Sequence, residues 1–114
     1  MSEYLRVART AEVAPGAMKR VMVAGHAVAL VNLGGEFLAI DDTCSHEEAS
    51  LSQGTLSGEV VVCPKHGARF NVRTGRVLAL PAVRSVAVYP VRVEGDEILV
   101  APDPQRSMGV PHRR

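Results

Sequence analysis

The sequence predicts an all-β domain of antiparallel strands, folded as a sandwich or barrel. Short runs rich in Val, Leu and Ile recur along the chain, glycine or proline punctuates them, and no apolar stripe of helical period reaches helical length. Even spacing of such runs is the mark of an antiparallel architecture. In chain order the expected strands are Tyr4–Ala8, Lys19–Val23, Ala27–Leu33, Phe37–Asp41, Val60–Cys63, Arg69–Asn71, Val77–Ala79, Val86–Val93 and Glu97–Ala101. Gly34-Gly35 between two of these runs is a hairpin signal, because glycine tolerates positive φ at both central turn positions. Arg73-Thr74-Gly75-Arg76 and Glu94-Gly95-Asp96 read the same way. Pro90 interrupts its run and marks an edge or a bulge, since proline has no N–H for a ladder.

A chain of 114 residues, 46% of them hydrophobic, has room for one core and one domain. Aromatic residues make up only 4% and Trp is absent, so Val, Leu, Ile and Ala must fill that core. The domain is expected over residues 1–101. Residues 102–114 carry three prolines and little to bury, the composition of a frayed tail or, in the alternative, of a basic docking tail for an acidic partner. Thirteen basic residues against twelve acidic ones leave a net charge of +1, without the concentrated basic surface that nucleic acid demands. The first residues do not form a signal peptide, and no run approaches the ~20 apolar residues that span a bilayer. A cytoplasmic protein without membrane or nucleic-acid partners is the expectation.

The chain has two cysteines, Cys44 and Cys63, each with a histidine close behind it. A disulfide would not require those histidines, and small disulfide scaffolds carry more cysteines. Thiolate with imidazole suits zinc or iron–sulfur chemistry. Zinc fingers usually draw two cysteines from one hairpin and two histidines from one helix. Here each segment offers one of each, as Cys44-Ser45-His46 and Cys63-Pro64-Lys65-His66. Two facing loops of that kind could each touch both irons of a two-iron cluster that has two Cys on one iron and two His on the other.

The pattern Cys44-x-His46…Cys63-Pro64-x-His66-Gly67 resembles the ligand motif of the Rieske family, and the strand-rich surroundings resemble its fold from about residue 4 to residue 101. The resemblance implies a Rieske-like antiparallel sandwich with a small cluster-binding subdomain of two ligand loops. It implies one [2Fe–2S] cluster per chain, with Cys44 and Cys63 on the inner iron and His46 and His66 on the outer one. It also implies that a third loop, Leu80-Pro81-Ala82, covers the cluster.

Departures from the respiratory members narrow the comparison. Those carry an extra cysteine in each ligand loop, joined as a disulfide; the corresponding positions here are Ala49 or its neighbour, and Lys65. They also place Ser and Tyr hydroxyls against cluster sulfurs, where this chain has Ala68 and Phe70. The chain thus resembles the soluble, low-potential Rieske ferredoxins that feed bacterial oxygenases. Physics points the same way. Two ferric ions, two sulfides and two thiolates sum to zero, reduction adds one negative charge, and without the hydroxyl donors that charge is held less tightly. Rieske potentials span roughly −150 to +300 mV, and this chain is expected near the low end.

His26 lies between apolar stretches and His112 in the tail, which suits structural or solvated roles. They are the only histidines left, so a second iron site of two histidines and a carboxylate is not expected. Asp41, Asp42, Glu47 and Glu48 crowd the first ligand segment, while Lys65 and Arg69 flank the second. They read either as solvated loop charge or as a rim that orients a redox partner. The expected function is one-electron transfer from a reductase to a terminal oxygenase, by a carrier that is not itself an enzyme. The alternatives are a small Rieske-like subunit of a nitrite reductase complex and a structural zinc module.

Overall fold

The computed structural model describes residues 3–43, 49–65, 67–79 and 84–106. Its strands in chain order are β1 (Leu5–Arg9), β2 (Met18–Val23), β3 (His26–Leu33), β4 (Glu36–Asp41), β5 (Thr55–Ser57), β6 (Val60–Val62), β7 (Arg69–Asn71), β8 (Val77–Ala79), β9 (Ala87–Tyr89), β10 (Val91–Glu94), β11 (Glu97–Val100) and β12 (Gln105–Arg106). The helical pieces among the described residues are two single 3-10 turns, Thr10–Glu12 and Leu51–Gln53. All strand pairs are antiparallel. They form a five-stranded sheet in the order β12-β9-β4-β3-β2, a three-stranded sheet β1-β11-β10 and a four-stranded sheet β5-β6-β7-β8.

The inner strands of the five-stranded sheet are apolar on both faces. In β3, Val28 and Leu30 join one buried cluster with Ala8, Ile98 and Val100, while Ala29 and Val31 join another with Val61, Phe70 and Val72. Strands β4 and β9 divide in the same way: Ala39, Ala87 and Tyr89 turn to the first cluster, Ile40 and Val88 to the second. Side chains alternate along a strand, so a strand buried on both faces needs an apolar run in place of an apolar–polar alternation. That requirement accounts for Ala27-Val28-Ala29-Leu30-Val31. The first core joins the five-stranded sheet to β1 and β11, and the second joins it to the four-stranded subdomain. Asn32 is buried near the end of β3 with its amide satisfied, donating to the Val13 carbonyl at 2.7 Å and accepting from Gly35 N at 2.7 Å.

Gly34 and Gly35, at φ +63° and +102°, make the expected β3–β4 turn, and Gly95 at +63° turns β10 into β11. Three features differ from the sequence expectation. The run Val86–Val93 is two strands. β9 pairs with β4, β10 pairs with β11, and Pro90 is the step between the two sheets. A missing N–H is tolerated there because neither ladder needs it. Strand β5, whose three residues are too few for a periodic signal, completes the small sheet. Finally, Gln105 and Arg106 pair with Val88 and Ala87, so the sheet continues past Ala101. Residues 107–114 lie outside the described residues.

Candidate metal centre

The second ligand segment is the connection from β6 to β7. Val62 pairs with Arg69, and one residue further in Cys63 N donates to the Ala68 carbonyl at 2.7 Å. Gly67 N donates to the Lys65 carbonyl at 2.8 Å, with Gly67 at φ +73°. A side chain at that φ would be strained, which explains glycine after the second histidine of the motif. Pro64 costs nothing inside the turn, where no ladder bond is lost. Cys63 is buried at 3% exposure, in one cluster with Val61, Ala68, Phe70 and Val72, whereas Lys65 and Arg69 are exposed. Alternation therefore puts Ala68 and Phe70 on the inward side that Cys63 shares. His66 lies outside the described residues.

The first segment leaves β4 and returns at the turn Leu51–Gln53. Thr43 and Ser50 form a bridge that closes it, and Leu51 N donates to the Asp42 carbonyl at 2.6 Å. Ala49 and Leu51 pack into the cluster that holds Cys63. Cys44 and His46 belong to residues 44–48, outside the described residues. The structure thus brings the bases of both segments together on one core and leaves three of the four expected ligands undescribed. The third loop is held at its base, where Val77 N donates to Ser85 Oγ at 3.2 Å and Val86 N to the Gly75 carbonyl at 2.8 Å. Leu80, Pro81 and Ala82 of the expected cover also lie outside the described residues.

The donor chemistry fits an iron–sulfur centre. A soft thiol is set at the mouth of a tight turn, in an apolar surround that limits access of water. A family model for the Rieske [2Fe-2S] domain matches residues 3–90. The chain belongs to that family. Among its relatives, the ferredoxin component of biphenyl 2,3-dioxygenase from Rhodococcus jostii (strain RHA1) is 42% identical over 95 residues, covering 83% of this chain and 89% of that protein. The solved ferredoxin of carbazole 1,9a-dioxygenase from Nocardioides aromaticivorans IC177 superposes with a TM-score of 0.84 at 43% identity, covering 88% of this chain and 98% of that one. A structure described as an NADH-dependent nitrite reductase small subunit from Mycobacterium tuberculosis reaches a TM-score of 0.81 at only 28% identity, with 90% and 97% covered. A Rieske domain implies a [2Fe–2S] cluster, and the named relatives at more than 40% identity are ferredoxin components.

The acidic residues of the first segment include two that serve the fold. Asp41 accepts from the Tyr89 hydroxyl at 2.6 Å and from Ala87 N at 2.9 Å, which fixes β9 to the end of β4. Asp42 is buried at 2% exposure. Asp42 is therefore not solvated charge, and Asp41, partly buried, anchors β9. Glu47 and Glu48 lie outside the described residues, and His26 is exposed at the start of β3. Ser50 and Ser52, which bond to Asp42, escaped the sequence reading. Their only signal was the habit of Asp and Ser to bond backbone at loop ends.

At the far end of the small sheet, Arg73 lies in the β7–β8 turn. It donates from Nη1 and Nη2 to the two carboxylate oxygens of Glu36, each at 2.9 Å, and from Nε to Glu59 at 2.9 Å. The Arg73 hydrogen bond holds the Glu36 carboxyl below its ordinary range, and the two carboxylates raise the Arg73 guanidinium further above its own. Three turns are thereby tied at the end opposite the ligand segments.

Proposed function

We propose that this chain is a one-electron carrier that holds one [2Fe–2S] cluster through Cys44, His46, Cys63 and His66. It would pass electrons from a reductase to a terminal oxygenase, without being an enzyme itself. The observation that carries the reading is the buried Cys63 turn sharing one core with the return of the first segment, in a chain more than 40% identical to ferredoxin components over most of their length. The bound cluster would supply a reversible one-electron couple. Every other part of the work falls to the chain. Cys44 and Cys63 would supply thiolates and His46 and His66 neutral imidazole nitrogens. Val61, Ala68 and Phe70 keep water from the inner side.

The lower identity to the nitrite reductase subunit favours the oxygenase-linked carrier over the reductase-complex subunit. We infer a cytoplasmic location from the two-cysteine, ligand-like usage, which suits a reducing compartment. No helix among the described residues is long and apolar enough to cross a membrane. We also infer that the cluster domain comprises residues 1–101 with the 105–106 strand added at its sheet edge.

Metal and sulfide analysis of the purified protein tests the proposal. Two irons and two acid-labile sulfides per chain are expected, with a red-brown spectrum that bleaches on reduction. One zinc and no sulfide would refute it and would favour the structural zinc module. Stopped-flow mixing of the reduced protein with a terminal oxygenase should show oxidation of the carrier, and a stable copurifying large subunit would argue for the reductase-complex reading.

A further inference from the structure

The two ligand segments are closed by different means. The second is held inside a short turn by the bond from Cys63 N to the Ala68 carbonyl. The first, of equal length between its paired residues, has among the described residues an isolated bridge, Thr43 to Ser50, where the second has the β6–β7 ladder. A loop closed outside a ladder must lose its conformational freedom to other bonds, so its closure needs additional restraint. Asp42, two residues before Cys44, supplies it. Its Oδ2 accepts from Ser50 Oγ at 2.5 Å and lies 3.3 Å from Arg20 Nε, while its Oδ1 accepts from Ser52 N at 2.9 Å. Ser50 Oγ and Ser52 Oγ are themselves 2.9 Å apart. The Asp42 main chain adds Asp42 N to the Ala27 carbonyl at 3.0 Å and Leu51 N to the Asp42 carbonyl at 2.6 Å. One residue therefore joins the outgoing strand end, the returning turn and β2.

We propose that Asp42, through Ser50, is the positioning residue of the first ligand segment, fixing where Cys44 and His46 stand relative to Cys63 and His66. This rests on the ligand assignment above. Burying a carboxylate is costly, and a well-packed apolar group of similar volume commonly serves stability as well or better. What an apolar residue could not do is hold the outgoing end of the loop to its return with two directional bonds. The side chain of Asp42 is 3% exposed against 57% for Arg20, so the bonds to Ser50 and Ser52 are the shielded ones. They set the loop, and the ion pair is its outer edge.

The test uses the holoprotein with Asp42→Asn, Ser50→Ala and Ser50→Thr, and Arg73→Gln as a control at the opposite end of the small sheet. Three quantities are read: the rate of visible bleaching under excess iron chelator, the electron paramagnetic resonance g-values of the reduced protein, and thermal unfolding by far-ultraviolet circular dichroism. Asp42→Asn and Ser50→Ala should bleach at least tenfold faster than wild type and shift the g-values. Ser50→Thr, which keeps the hydroxyl, should restore both, and Arg73→Gln should lower the melting point without altering the g-values. Bleaching of Asp42→Asn and Ser50→Ala within twofold of wild type, or acceleration matched by Arg73→Gln at equal loss of stability, would overturn the proposal. If Asp42→Asn yields no holoprotein, the contrast of Ser50→Ala with Ser50→Thr decides it. A wild-type protein without iron and sulfide would instead refute the ligand assignment.

Discussion

Alanine at Gly54 should damage the metal centre from a distance, through one peptide group. Gly54 follows the turn Leu51–Gln53 with φ −85°, a backbone conformation that alanine adopts without strain. The added methyl, however, falls well inside contact with the Val62 carbonyl oxygen, 3.1 Å from the Val62 carbonyl carbon and 3.2 Å from the Leu51 carbonyl oxygen. All of these are backbone atoms, so no side chain can swing away. Restoring ordinary contact requires a separation of about 1 Å between the turn and β6. The Val62 carbonyl shares a rigid peptide plane with Cys63 N, which donates to Ala68 at 2.7 Å. Overpacking costs about 1–3 kcal/mol and a weakened hydrogen bond about 1 more, giving roughly 2–4 kcal/mol in all. At about 4 °C per kcal/mol for a domain of this size, the apparent Tm should fall by roughly 8–16 °C. Gly58→Ala is the comparison. Gly58 has φ +58° and open space around it, so alanine there should cost only about 1–2 kcal/mol of backbone strain. Melting followed at once by far-ultraviolet and visible signals is the assay. A Gly54→Ala protein as stable as Gly58→Ala, with an undisturbed visible spectrum, would refute the reasoning.

Cys63→Ser should abolish the visible spectrum and loosen the β6–β7 connection, since a soft ligand is exchanged for a poor one; an intact spectrum would mean that the ligand set is misassigned. Ala68→Ser and Phe70→Tyr should each raise the potential. Both positions are fully buried on the side that Cys63 shares, and each new donor should add on the order of 40–60 mV, read by voltammetry at neutral pH with both single variants and the double. Unchanged or lowered potentials in all three would show that these positions do not face the cluster. Arg73→Gln should lower the apparent Tm and reduce its dependence on salt, measured at low and high ionic strength. Because Arg73 depresses the Glu36 pKa, that contribution is fully present above the ordinary value of 4.5 and is lost as pH falls through the lowered folded value. A stability difference between wild type and Arg73→Gln that persists unchanged at pH 2 would contradict this origin.

Several features were legible because they depend on residue types in fixed local order. The turn at Gly34-Gly35 and the strands on either side of it, expected at Ala27–Leu33 and Phe37–Asp41, follow from φ preferences and from apolar runs of strand length. The motif that sets each cysteine beside a histidine, with Pro64 and Gly67 in place, carries the resemblance to the Rieske family, to which the chain belongs. Strand β5 and the pairing of Gln105 and Arg106 were not legible, since runs of three and two residues carry no period.

By itself, then, the sequence determined the class of fold, the turn positions and the motif that marks the family, all of which are properties of near neighbours in the chain. Only the tertiary structure decided what depends on contacts between distant segments. It split Val86–Val93 between two sheets at Pro90, because β4 and β11 compete for neighbouring stretches of one run. It turned Asp41 and Asp42 from apparent surface charge into anchors, because Tyr89, Ala87, Ser50 and Ser52 arrive beside them from elsewhere in the chain. A carboxylate reads as solvated until the donors that make its burial tolerable are in place, and those donors are assembled only by the fold.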